Sequence, residues 1–212
     1  MLKSGIKEKI LLYGGHMNKG FVLWFTGLPC SGKTTIAKKV KSILEEKGID
    51  TELLDGDTIR DYIKNKDFSK EGRNKHLRYI AVMAKLLEKR GVGVLCSFVS
   101  PYRENRDFAR SICENFIEVY VKASIEECMK RDVKGMYKLA KEGKIKNFTG
   151  IDDPYEEPLN PEIILETDEE TVEESAEKVI SKLKEIGFIE EGYSQEEEEE
   201  IKRRLRDLGY IE

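Results

Sequence analysis

Along this chain, apolar residues come in short runs separated by longer stretches where they recur every three or four positions. The runs "FVLWFT" (21–26), "TELLD" (51–55), "VGVLCSFVS" (92–100), "FIEVYVKA" (116–123) and "EIILET" (162–167) read as strands. Between them, Ile36, Val40, Ile43 and Leu44 predict a helix over 33–47 that Gly48 ends. "DTIRDYIKN" opens a second helix. Leu77, Ile80, Ala81, Ala84 and Leu87 mark a third over 73–90, "SIEECMKR" a short fourth, and a fifth runs from about 169 to 186. Strands alternating with helices predict an α/β protein, a mostly parallel five-stranded sheet covered by helices on both faces. Two segments break the alternation: 132–160, rich in Lys, Gly and Pro with no strand pattern, and a charged tail from 189. The expected organisation is an extension over 1–19, with Met17 as an alternative start, a domain over 20–187 and a tail over 188–212.

Composition narrows the class. The chain has 212 residues, 39% hydrophobic and 37% charged, which suits one globular domain with a dense charged surface. A net charge of −4 argues against a general nucleic-acid binder, which needs a cationic surplus. No apolar run approaches the ~20 residues that cross a bilayer, and the first twenty residues lack the h-region of a signal peptide. Four scattered cysteines, without CxxC spacing, read as reduced thiols of a cytoplasmic protein.

The first strand leads into Gly27-Leu28-Pro29-Cys30-Ser31-Gly32-Lys33-Thr34, followed by Thr35 and a helix. This is G-x-x-x-x-G-K-[ST] in the strand–loop–helix context that the motif requires. Its backbone N–H groups and helix end cradle phosphates, Lys33 reaches the outer ones and the Thr34 hydroxyl ligates Mg²⁺. A nucleoside triphosphate is therefore the expected ligand. "LLDGDTIR" puts Asp55 and Asp57 at the carboxyl end of the second strand, the edge where open α/β sheets bind ligands. Asp57 is placed to accept a proton from a hydroxyl or to hold Mg²⁺, or else to cap the helix that follows; Arg60 is placed to grip an anion. No water-activating Gln or switch-like loop is evident, which favours a transferase with a closing lid.

"GLPCSGKTT", "LLDGDTIR", "FSKEGR", "SFVSPYRENRD", "FIEVYV", "KGMYKLAKEGKIKNFTGIDDPYEEP" and "NPEIILET" follow one another in order, and together they resemble the adenylylsulfate kinase family. The resemblance covers about residues 20–187 and implies a P-loop kinase fold with its lid at about 132–160. It further implies transfer of the γ-phosphoryl of MgATP to the 3′-hydroxyl of adenosine 5′-phosphosulfate. Carried over residue by residue, Gly27 to Thr35 hold ATP, with Lys33 catalytic, and Asp57 acts at the 3′-hydroxyl and with Thr34 holds Mg²⁺. Arg60 and Arg73 bind the phosphosulfate, and Phe68 and Phe148 sandwich the acceptor's adenine. Lys146, with Lys134, Lys138, Lys141 and Lys144, supplies positive charge from the lid; read without the resemblance, those lysines are a solvated helix face. Ser100 matches a serine that is phosphorylated as an intermediate in the family. Because in-line transfer needs only positioning and charge neutralisation, Ser100 has two further readings, a substrate hydrogen bond or a cap for the next helix. The resemblance is compatible with a homodimer and with association with an ATP sulfurylase.

"GRNKHLRY" departs from the family's Asp-Arg-x-x-Asn-x-Arg-Arg at Gly72, His76 and Tyr79, and Val133 stands where the lid usually begins with Pro. His76 then reads either as a substrate contact, able to favour an anion if protonated, or as a surface residue without a role. These departures leave two rival readings, a kinase of the same scaffold acting on another hydroxyl compound and a non-catalytic nucleotide-binding module. In the tail, Ser194 with Glu197, the pairs Glu198–Lys202, Glu199–Arg203 and Glu200–Arg204, and the stripe Ile201, Leu205, Leu208 predict a short helix.

Overall fold

The computed structural model describes residues 19–189 and 195–211. The run at 21–26 is strand β1 (Phe21–Thr26), and helix α1 (Lys33–Glu46) follows it. Then come β2 (Thr51–Asp55), α2 (Gly56–Tyr62), α3 (Lys70–Glu88), β3 (Gly93–Ser97), α4 (Arg103–Ile112) and β4 (Phe116–Lys122). The chain continues through α5 (Ile125–Arg131), α6 (Met136–Lys141), β5 (Ile163–Glu166), α7 (Val172–Glu185) and α8 (Gln195–Asp207).

The five strands make one sheet in the order β2-β3-β1-β4-β5, every pairing parallel. β1 is central, with Val22 opposite Val94 of β3 and Leu23 opposite Ile117 of β4. Its unbroken apolar run follows from that place. Successive side chains point to opposite faces, so Phe21, Leu23 and Phe25 enter a core with α1 and α7, while Val22 and Trp24 enter another with α3 and α4. Both faces are dry, as in parallel sheets generally.

Helix starts follow local capping chemistry. α3 begins three residues before the periodicity predicts, because Ser69 accepts a hydrogen bond from Gly72 N. α7 begins later than predicted, at a capping box of Thr171 and Glu174. The cap of α2 is Asp55, whose carboxylate accepts from Asp57 N and Thr58 N, so Asp57 is not the capping residue. β3 stops at Ser97, short of the predicted 100, and the chain turns at Ser100, which has φ 45°. The stretch 132–160 contains α6 and one isolated bridge, Thr149–Asp153, but no strand.

In α8, Glu200 pairs with Arg204 as expected. Glu199, however, pairs with Lys202, and Arg203 pairs with Glu200, three residues apart rather than four. Met17, Ser194 and the side chains of Glu197, Glu198 and Ile201 lie outside the described residues.

Candidate active site

The loops after β1, β2, β3 and β4 all leave the carboxyl edge of the sheet, so residues far apart in sequence meet there. Gly27 has φ 149°, and a Cβ on it would lie 2.3 Å from Val121 O at the end of β4; only glycine fits. Cys30 also holds a positive φ, 62°, a conformation that non-glycine residues seldom adopt outside functional loops. Gly32 caps α1 without a side-chain acceptor, leaving the first-turn N–H groups of Lys33, Thr34 and Thr35 for an external anion. Leu28 and Cys30 pack against Tyr137 and Phe148 of the 132–160 stretch, and the Tyr137 hydroxyl donates to Pro29 O at 3.0 Å. Ser31 is buried, and its carbonyl accepts from Thr167 Oγ1 at 3.0 Å.

Lys33 is folded onto this loop, donating to Gly27 O at 3.0 Å, Leu28 O at 2.6 Å and Ser31 Oγ at 3.3 Å. It is 8% exposed, and burial brings its pKa down to about 8. Thr34 Oγ1 donates to Asp55 Oδ2 at 2.8 Å and lies 2.9 Å from Ser97 Oγ. The structure thus sets Asp55 against Thr34. Asp57 instead stands in solvent in the first turn of α2 and pairs with Lys134, just before α6, whose pKa is raised chiefly by that hydrogen bond.

The expected anion-binding arginines are also engaged. Arg60 lies over the Phe68 ring, 4.5 Å from its centroid, and donates to Asp67 O. Burial, and after it the charge of Arg73, lowers its pKa. Arg73 donates to Thr149 Oγ1 and to Asp153 Oδ2, each at 2.7 Å, and to Asn147 O, tying α3 to the 132–160 stretch. Phe68 is 50% exposed, whereas Phe148 is buried edge-on against Tyr137, centroids 4.9 Å apart. Among the described residues no ring contact joins Phe68 to Phe148. Lys146 is exposed, like Lys134, Lys138, Lys141 and Lys144.

Two residues differ from expectation in their surroundings. His76 is buried, 2% exposed, edge-on to Phe98, and neither ring nitrogen has a hydrogen-bond partner among the described residues. Burial, with Arg60 nearby, lowers its pKa to about 4. It is therefore neither a surface residue nor a cation at neutral pH. Ser100 is equally buried and accepts from Trp24 Nε1 at 3.2 Å; α4 starts after Tyr102 with no side-chain cap, so Ser100 caps no helix.

The model of the family described as "Adenylylsulphate kinase" matches residues 19–166. The chain belongs to the adenylylsulphate kinase family. An adenylyl-sulfate kinase of Halothermothrix orenii is 52% identical over 172 residues, 81% of this chain and 93% of that protein. A probable adenylyl-sulfate kinase of Aeropyrum pernix is 47% identical over 80% of this chain and 96% of its own length. Among solved structures, the Mycobacterium tuberculosis APS kinase in complex with AMPPNP and APS superimposes with a TM-score of 0.75 at 38% identity, covering 78% of this chain and 98% of that one.

Within the adenylylsulphate kinase family pattern, Gly72 has a local explanation. A Cβ there would lie 2.2 Å from the Asp67 carboxylate carbon, so Asp67 fills the space of the missing side chain. Sequence reasoning overlooked Asp55 as a partner of Thr34, and it overlooked Asp153. It also overlooked Arg131, which donates to Ser31 O and Thr167 O and so joins the phosphate loop to the end of β5. Only Asp55 had a signal in the sequence, its place at the end of a predicted strand. Among the described residues no helix is long and apolar enough to cross a membrane.

Proposed function

We infer that this chain transfers the γ-phosphoryl group of MgATP to the 3′-hydroxyl of adenosine 5′-phosphosulfate, giving 3′-phosphoadenosine 5′-phosphosulfate. The observation that carries the reading is 52% identity with an adenylyl-sulfate kinase over 93% of that protein's length. A shared scaffold alone would supply a phosphate loop but not the lid.

The triphosphate sits on Gly27 to Thr35, and Lys33 exchanges the carbonyls of Gly27 and Leu28 for phosphate oxygens. Oxygen donors at Thr34, Asp55 and Asp57 suit Mg²⁺, which is held by one or two protein groups plus phosphates and water. When bound, the ion neutralises charge on the transferring group. Asp57 accepts the proton of the 3′-hydroxyl. Arg60 and Arg73 hold the phosphosulfate, Phe68 and Phe148 the adenine, and Lys146 adds charge from the lid. His76, neutral, offers one N–H donor and one acceptor. Closure of the lid excludes water that would otherwise hydrolyse ATP. Transfer is direct and in line, with Ser100 positioning substrate rather than carrying phosphate; Ser100→Ala is expected to keep turning over, and its loss of all activity would reinstate the covalent route.

A coupled assay with ATP and adenosine 5′-phosphosulfate tests the reading. ADP and product form in equal amounts if it holds; folded protein that phosphorylates only another hydroxyl acceptor refutes it. In that second case the buried His76, whose ring nitrogens have no hydrogen-bond partner among the described residues, is the first suspect, and His76→Asn should restore the expected acceptor. The enzyme works in the cytoplasm, in keeping with four free cysteines, which fractionation of source cells checks. It forms a homodimer and associates with an ATP sulfurylase, read by sedimentation with and without that second enzyme.

A further inference from the structure

The stretch "NFTGIDDPY" (147–155) carries two neighbouring carboxylates that do different work. Asp152 shapes the turn from within, accepting from Asn147 N at 2.8 Å and from Phe148 N at 2.6 Å. Asp153 faces out of the turn. Its Oδ1 accepts from the Tyr102 hydroxyl at 2.8 Å, and its Oδ2 from Arg73 Nη1 at 2.7 Å and Thr149 Oγ1 at 3.4 Å. One side chain thus joins α3, the segment before α4 and the turn that bears Phe148. Water does not screen this pair as it does a surface contact: the Arg73 and Asp153 side chains are 11% and 15% exposed, and Tyr102 is buried.

Arg73 is left with a defined pair of donors. Of the five N–H groups of a guanidinium, three go to Thr149 Oγ1, Asp153 Oδ2 and Asn147 O. The remaining two sit on Nε and Nη2, adjacent nitrogens that suit an oxyanion held by two parallel bonds. Burial, and then the charge of Arg73, lowers the pKa of Arg60, so the two arginines repel each other. Among the described residues Asp153 is the one carboxylate paired with Arg73, and it holds the guanidinium against that repulsion.

We propose that Asp153 is a positioning residue for the acceptor: anchored by Tyr102, its carboxylate aims the two free N–H groups of Arg73 at the phosphosulfate. The inference rests on the reading that Arg73 holds that group. The effect of Asp153 is then confined to the acceptor, because its side chain bonds to α3, Tyr102 and Thr149 and to nothing in the phosphate loop. A mere brace for the turn would behave otherwise. Phe148 packs with Leu28 and Cys30 of the phosphate loop, so a loosened turn would disturb ATP binding as well.

Steady-state kinetics of the full chain, with both substrates varied, is the test. Asp153→Asn is expected to raise KM for adenosine 5′-phosphosulfate about 10- to 100-fold, the scale of an ångström-sized misplacement. Its kcat and its KM for ATP should stay at the wild-type values, the mark of lost acceptor binding alone. Tyr102→Phe frees one carboxylate oxygen but keeps the charge pair, and should shift the same constant in the same direction by a smaller factor; it carries the test if Asp153→Asn does not fold. Added to Arg73→Ala, Asp153→Asn should cost nothing further in kcat/KM, because its influence runs through Arg73. Unchanged acceptor KM in both single variants, an equal rise in KM for ATP, or a full additional loss on top of Arg73→Ala overturns the proposal. An Arg73→Ala chain with the wild-type acceptor KM removes the underlying reading and the proposal with it, whereas failure of the Asp153 variants alone leaves that reading standing.

Discussion

Lys33 gives the sharpest prediction, and the perturbation is pH. In the folded, nucleotide-free protein its pKa falls from 10.5 to about 8 because burial strips water from the ammonium group. The gap, at ~1.4 kcal/mol per pH unit, is about 3 kcal/mol. The sign follows from linkage. Below pH 8 both folded and unfolded chains hold the proton, and the fold carries the full cost of a buried cation. Between pH 8 and 10.5 the folded chain sheds the proton first, so this contribution to stability grows more favourable as pH rises. Nucleotide binding reverses the direction: phosphates facing Lys33 restore its pKa, so binding above pH 8 takes up a proton. Affinity for the Mg–nucleotide should be flat from pH 7 to 8 and then fall about tenfold per unit, roughly 30-fold by pH 9.5. The nucleotide's own last phosphate proton, lost near pH 6, does not intrude. Titration calorimetry in two buffers of different ionisation enthalpy measures both affinity and proton uptake, with Lys33→Met as the control that should show neither pH dependence nor uptake. Constant wild-type affinity from pH 7 to 9.5, or uptake that persists in Lys33→Met, would refute the reasoning.

Three further outcomes are expected. Asp57→Asn should lower kcat by about 10²–10⁴-fold, the usual worth of a general base, and leave the melting temperature unchanged because the side chain is exposed. Phe68→Ala should raise KM for the acceptor by about 5- to 150-fold, the equivalent of ~1–3 kcal/mol of base stacking, without altering KM for ATP; equal effects on both substrates would take Phe68 out of the acceptor site. Arg106→Met removes a buried guanidinium that bonds Glu118 Oε1 at 2.7 Å, Ser100 O at 2.6 Å and Glu156 O at 2.5 Å. Urea unfolding should show about 3–5 kcal/mol lost, as when one partner of a buried pair is deleted, and a loss below ~1 kcal/mol would mean that Arg110 alone satisfies Glu118.

The sheet was legible because its signal is dense. β1 and β2 begin and end where their apolar runs do, and the phosphate loop is spelled out between a strand and a helix. Element ends were less so, since a hydroxyl at Ser69 or Thr171 outweighs side-chain periodicity there. Of the two readings of His76, the structure overturns only the surface one, and the periodicity already spoke against it: His76 lies four residues before Ile80, on the line that α3 turns toward the sheet. The partnership of Thr34 with Asp55, and of Arg73 with Asp153, depends on which loops the sheet order brings together, and nothing local encodes that. The stretch 132–160 showed in the sequence only as a break in the alternation, because a segment without periodicity carries no packing signal of its own.

The defining event of the reaction is the passage of a phosphoryl group from ATP to a ribose 3′-oxygen. Mass spectrometry of a reaction with ATP labelled with ¹⁸O in the γ-phosphoryl group and adenosine 5′-phosphosulfate follows that group itself. The label should appear on the 3′-phosphate of the product, one equivalent per ADP formed; label found only in inorganic phosphate would contradict it.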